Sequence, residues 1–223
     1  VPVGYGLMDN LIKDYEKLSL HQNKVKRILI APSWQDENIM DSCLNELIEQ
    51  LVGNGWCIIV RPHPEYKKRF PIKMDALLYK YQDILNENFM IESDFSSNVT
   101  IYTADLLITD WSSIAYEFSY STKKPTMFIN TPMKVINPNY EMIPFVPTDI
   151  SLREEIGVSL GLNEIHKVRE TAEHLLNSGD EYLERITMLV EKYLFNIGES
   201  GKAGGKYIIG RLKKKSTIAK VNK

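Results

Sequence analysis

The sequence lacks most of the features that announce a chemistry. No apolar run approaches the ~20 residues of a membrane span, so no spanning helix is expected. No secretory leader is read, which makes the cytoplasm the expected compartment. The chain opens at Val1 without a methionine and is therefore a candidate fragment. No glycine-rich loop of the GxxxxGK[ST] or GxGxxG type follows a strand, which excludes a P-loop and the common dinucleotide fingerprint. No GxSxG elbow offers a nucleophilic serine. No His, Cys and Asp cluster has metal-ligand spacing, so neither metal nor cofactor is expected. The two cysteines, Cys43 and Cys57, lack a CxxC spacing and read as reduced core residues. The formal net charge of −2 gives no reason to expect a nucleic-acid partner.

What is present is an ordinary globular composition, 43% apolar and 25% charged over 223 residues. It suits one large domain, or one domain with a small appendage. Residues 1–24 read as a linker and short amphipathic helix, with Leu7, Leu11, Ile12, Tyr15 and Leu18 at helical spacing. From residue 25 to 178 strands alternate with helices. "RILIAPS", "WCIIVRPH", "NFMIES", "DLLITD" and "PTMFIN" are five strands separated by helical segments, the first of which runs over 37–55. Apolar runs with no alternation suit parallel strands covered on both faces, so the fold class expected is α/β, a doubly wound parallel sheet of Rossmann-like type. Residues 131–150, rich in proline and asparagine, read as a long ordered loop. Residues 179–223 read as C-terminal helices and a basic tail on the same domain. The tail carries eight Lys or Arg from 201 onward and no acid. It is either a solvated, fraying end or a basic surface for anionic lipid or a polyanionic acceptor.

In such sheets ligands bind beyond the carboxyl ends of the strands. Three polar clusters fall there: Ser33 with Trp34, Arg61 to Pro64, and Thr109 to Ser113. The prolines around His63 stiffen its exit, since each holds its own φ at about −65° and extends the residue before it. Arg61 offers a planar fork for phosphate oxygens. His63 either donates to a phosphate or takes a proton from a hydroxyl. Ser112 and Ser113, behind Asp110, open a helix whose free N–H groups suit an anion, although Asp and Ser are also ordinary caps. Glu117, one turn further along the helix, either reaches a ribose hydroxyl or is a solvated charge. His21, His166 and His174 lie on or beside amphipathic helices and read as surface residues.

"RPHP" at a strand end, then "ADLLITDWSSIAYEF" and "KPTMFIN", resembles the CDP-glycerol glycerophosphotransferase family of teichoic acid primases and polymerases. The opening "VGYGLMDNLI" and the late "NIGESGKAGGKYI" are similar as well. The resemblance implies a GT-B architecture of which this chain is the C-terminal, donor-binding half. It implies that Arg61 and His63 contact a donor pyrophosphate, with His63 essential to transfer. Ser112 and Ser113 would hold the phosphates and Asp110 would shape their loop, and Ser33 joins the set as a substrate-binding candidate. The implied reaction is attack of an acceptor hydroxyl on the β-phosphate of a CDP-alcohol, releasing CMP without a metal. The implied partners are that donor, a polyol-phosphate or glycan-lipid acceptor, the N-terminal domain holding the family's other essential histidine, and a membrane surface under the basic tail. Without that domain the chain would bind donor but transfer poorly. Trp111 stands where the family commonly has tyrosine. A nucleotide-sugar transferase or epimerase-like domain, and a non-catalytic nucleotide-binding module, are the alternatives.

Overall fold

A computed structural model describes residues 1–18, 23–133, 135 and 137–221, with side chains as far as Lys213. Helix α1 (Gly6–Lys17) precedes strand β1 (Arg27–Ile30). Helices α2 (Ile39–Ser42) and α3 (Leu44–Leu51) lead to β2 (Cys57–Val60), and α4 (Pro64–Arg69) and α5 (Pro71–Tyr81) to β3 (Phe89–Ile91). The short α6 (Val99–Thr103) leads to β4 (Leu106–Thr109), α7 (Ile114–Thr122) to β5 (Thr126–Asn130), and α8 (Thr148–Ser151) with α9 (Arg153–Ile156) to β6 (Gly157–Gly161). Helices α10 (Val168–Asn177), α11 (Gly179–Tyr193) and α12 (Ser200–Val221) follow.

All strand pairs are parallel, in the order β3-β2-β1-β4-β5-β6. This is the doubly wound order, and it reverses between β1 and β4, where the crevice for a ligand opens. Successive side chains of a strand point to opposite faces, so the unbroken apolar runs feed two cores. Ile28, Ile30, Ile58, Val60, Leu106 and Ile108 join the larger one, with Leu47 and Leu51 of α3 and Val168 and Leu175 of α10. Leu29, Cys57, Ile59 and Leu107 join the smaller, under Phe118 of α7. Met8 and Leu11 of α1 and Ile186 and Val190 of α11 belong to the larger core too, so these two helices are part of the same domain.

Four expectations need correction. The helix expected over 37–55 is two, α2 and α3, because Cys43 leaves helical geometry at φ −155°. A sixth strand, β6, follows the five expected. Its sequence, Gly-Val-Ser-Leu-Gly, gives a weak strand signal because glycine weakens strands. Gly157 is needed for contact, since a Cβ there would fall 1.6 Å from the Thr126 carbonyl oxygen. The expected long loop gives way to α8 at Thr148, with α9 beyond it. The tail, expected in one reading to fray, forms α12 despite four glycines. Asp9 of α1 anchors its start by accepting from Gly198 N at 2.8 Å and Ser200 N at 3.0 Å. Among the described residues no helix is long and apolar enough to cross a membrane. His166 and His174 are exposed as expected, and His21 lies outside the described residues.

Candidate active site at the carboxyl edge of the sheet

The three polar clusters stand together at the exits of β2, β1 and β4, which are neighbours in that order. Strands β2 and β4 lie two spacings apart, about 10 Å, a gap that side chains from both exits can face.

At the exit of β2, His63 is the N-cap of α4, and its Nδ1 accepts the Glu65 N–H at 3.0 Å. Pro64, at the first helical position, has no N–H to satisfy. The Arg-Pro-His-Pro stretch is therefore the start of a capped helix as well as a stiff exit. Because Nδ1 is an acceptor, the neutral ring carries its proton on Nε2 and presents a donor there. The His63 ring lies 6.5 Å from that of Trp34, and the Arg69 guanidinium 4.5 Å from the Trp34 ring centre.

Arg61 is less free than its sequence position suggests. It is 7% exposed. Its Nη1 lies 2.6 Å from Glu92 Oε1 and 3.1 Å from Thr100 Oγ1, while the guanidinium sits 5.5 Å from the Phe95 ring centre. One arm of the fork is thus committed to the exit of β3.

Asp110 is fully buried after β4. Its two carboxylate oxygens accept from Ser33 N at 2.8 Å and Ile39 N at 3.2 Å, tying the β1 exit and the start of α2 to the β4 exit. Its position suits shaping the loop rather than touching a ligand. Ser33 is buried beside it, and the Ser33 hydroxyl has no hydrogen-bond partner among the described residues.

The serines behind Asp110 do not cap their helix. Ser113 occupies the N-cap of α7 in helical geometry and makes no side-chain cap bond. Its hydroxyl instead donates to Glu117 Oε1 at 3.3 Å. The backbone N–H groups of Trp111, Ser112 and Ser113 meet no acceptor among the described residues. They add to the partial positive charge of a helix start. Glu117 is half-buried, and burial pushes its carboxyl up against the opposing pull of the Ser113 bond.

A cavity of about 420 Å3 opens beside this loop on the β5 side, with Trp111, Ser112, Ser113, Tyr116, Phe128 and Arg153 among its walls. Arg61 and His63 are not among them. Sequence reasoning passed over Arg153. It stands in a stretch, "REE", that carries no motif, and no local signal marks it as buried. Glu92 was likewise read as the polar end of a strand.

Residues 1–135 match the family model of CDP-Glycerol:Poly(glycerophosphate) glycerophosphotransferase. The chain belongs to that family. Two relatives from Bacillus subtilis (strain 168) agree with the assignment. The teichoic acid glycerol-phosphate primase is 28% identical over 139 residues, covering 60% of this chain and 34% of its own length. The teichoic acid poly(glycerol phosphate) polymerase is 30% identical over 132 residues, covering 53% and 15% respectively. The glycerophosphotransferase-family chain therefore matches about a third or less of either relative. Among solved structures, spinosyn forosaminyltransferase SpnP superposes with a TM-score of 0.52 at 12% identity, over 87% of this chain and 44% of that one. That likeness is one of fold, a Rossmann-like unit of the GT-B class.

Proposed function

We propose that this chain binds the donor of a transferase that moves glycerol phosphate, or a related alditol phosphate, from a CDP-alcohol to an acceptor hydroxyl in cell-surface polymer synthesis. The observation that carries the reading is the uncapped start of α7. Two serines stand there and neither caps, and three successive N–H groups are left for an anion. Family membership and the kinds of relative matched support the same donor class.

In this reading the donor diphosphate spans the crevice between the α7 start and His63. The acceptor oxygen forms a bond to the β-phosphorus, the bond from that phosphorus to the CMP oxygen breaks, and CMP leaves with the electron pair. The hydroxyl proton passes to a base. His63 is poorly arranged to be that base, because its Nδ1 holds the Glu65 amide and its Nε2 carries the proton. It is arranged to donate from Nε2 to a phosphate oxygen, where charge builds as CMP departs. Arg61 adds positive charge from the β3 side. Glu117 is placed to accept from a ribose hydroxyl. The basic α12 would rest on an anionic surface such as a membrane face.

Calorimetry of the chain with CDP-glycerol, CDP-ribitol and UDP-sugars tests the donor. Binding of the CDP-alcohols with no response to UDP-sugars is expected. Binding of UDP-sugars alone would turn the reading toward a sugar transferase.

A further inference from the structure

Arg153, the first residue of α9, is 5% exposed and closes one wall of the cavity beside the α7 start. Its guanidinium carbon lies 4.1 Å from the ring centre of Trp111 and 4.1 Å from that of Phe128. Nη1 donates to the Asp110 carbonyl at 3.0 Å and Nη2 to Asn130 Oδ1 at 2.8 Å. Among the described residues no carboxylate forms an ion pair with it. The nearby Asp110 carboxylate is committed to the amides of Ser33 and Ile39. The carboxylates of Glu154, Asp110 and Asp149 answer part of its charge through space, without an ion pair.

The bond to the Asp110 carbonyl has a second effect. In a trans peptide the C=O and the following N–H point in opposite directions. With the Asp110 oxygen held by Arg153, the Trp111 N–H is turned away from Arg153. The indole is fixed too, since Trp111 Nε1 donates to the Thr131 carbonyl at 2.7 Å. One buried arginine thus sets the peptide that opens the row of free amides at Trp111, Ser112 and Ser113.

We propose that Arg153 is the positioning residue of this phosphate loop, acting through the Asp110 carbonyl that it holds and the Trp111 ring it stacks on. The inference rests on the reading of the α7 start as the donor-phosphate site. Position 153 lies outside residues 1–135, the segment matched by the family model.

Calorimetry with CDP and CMP on the wild-type chain, Arg153→Gln, Arg153→Lys and Asn130→Ala tests it. Arg153→Gln is expected to weaken CDP about tenfold, the loss of one charge-assisted interaction. CMP, with one phosphate fewer, should weaken by less, so the CDP/CMP affinity ratio falls toward one. Arg153→Lys should restore part of that ratio, because the charge stays while the double donation is lost. Should Arg153→Gln fail to fold by circular dichroism, the ratio is read on Arg153→Lys and Asn130→Ala, where a smaller fall is expected. An unchanged ratio in every folded variant of a CDP-binding chain would overturn the role of Arg153 alone. A wild-type chain that ignores CDP would overturn the donor-site reading and this inference with it.

Discussion

Arg61 Nη1 and Glu92 Oε1 stand 2.6 Å apart with both side chains largely buried, so the exits of β2 and β3 are joined by an ion pair. The pair holds the arginine in one orientation. Removing the carboxylate strands a buried cation. Glu92→Ala is therefore expected to lower the unfolding free energy by about 3 kcal/mol, read from urea denaturation. A change below about 0.5 kcal/mol would class the pair with ordinary surface contacts.

His63 has an observed role as a cap and a proposed one toward the donor, and two substitutions divide them. Asn is a good N-cap, so His63→Asn should keep α4 and change stability by less than about 0.5 kcal/mol. His63→Ala should lose about 1 kcal/mol with the cap. Both lack the Nε2 donor, and both should weaken CDP-glycerol binding roughly tenfold or more. Calorimetry beside thermal melts separates the effects. If His63→Asn bound like the wild type, Nε2 would have no part in holding the donor.

Glu117 gives a pH signature. Burial raises its pKa in the folded chain, with the Ser113 bond opposing. A carboxyl with a raised folded value binds its proton more tightly when folded, so its ionised form opposes folding at neutral pH, and that penalty fades as pH falls through the folded pKa. Glu117→Gln should accordingly melt higher than wild type at pH 7, with the difference closing near about pH 3, where both side chains are neutral. Equal melting temperatures at both pH values would show the carboxylate to be well solvated.

Gly157 is fixed by contact. Its missing Cβ would sit 1.6 Å from the Thr126 oxygen, and its partner in the ladder is Thr126 itself. Gly157→Ala is expected to push β6 from β5 and cost about 3 kcal/mol, measured by chemical denaturation. A loss within about 0.5 kcal/mol would show that the edge of the sheet moves freely.

The parallel sheet was legible because its central strands are apolar on both faces, a pattern that local chemistry dictates. The site was legible where motif and element boundary coincide, at Arg61 to Pro64 and at Asp110 to Ser113. What escaped was set by tertiary contact. β6 carries a weak strand signal because the glycine that lets it approach β5 is also a strand breaker. Arg153 went unmarked because nothing local shows that Trp111 and Phe128, 42 and 25 positions earlier in this numbering, close over it. Arg61 was found by its motif, but its partner Glu92 comes from the next strand and carries no motif of its own. The break at Cys43 falls inside a strongly helical stretch, near the start of α2 that Asp110 pins from β4.

The Asp110 carboxylate holds amides from two other parts of the chain at once. The first and fourth strand exits are therefore one mechanical piece: a displacement of the loop at Trp111 is passed to Ser33 and, through Ile39, to the helix beyond it. An anion bound at those amides, as proposed, would press on a jaw that already spans the reversal point of the sheet.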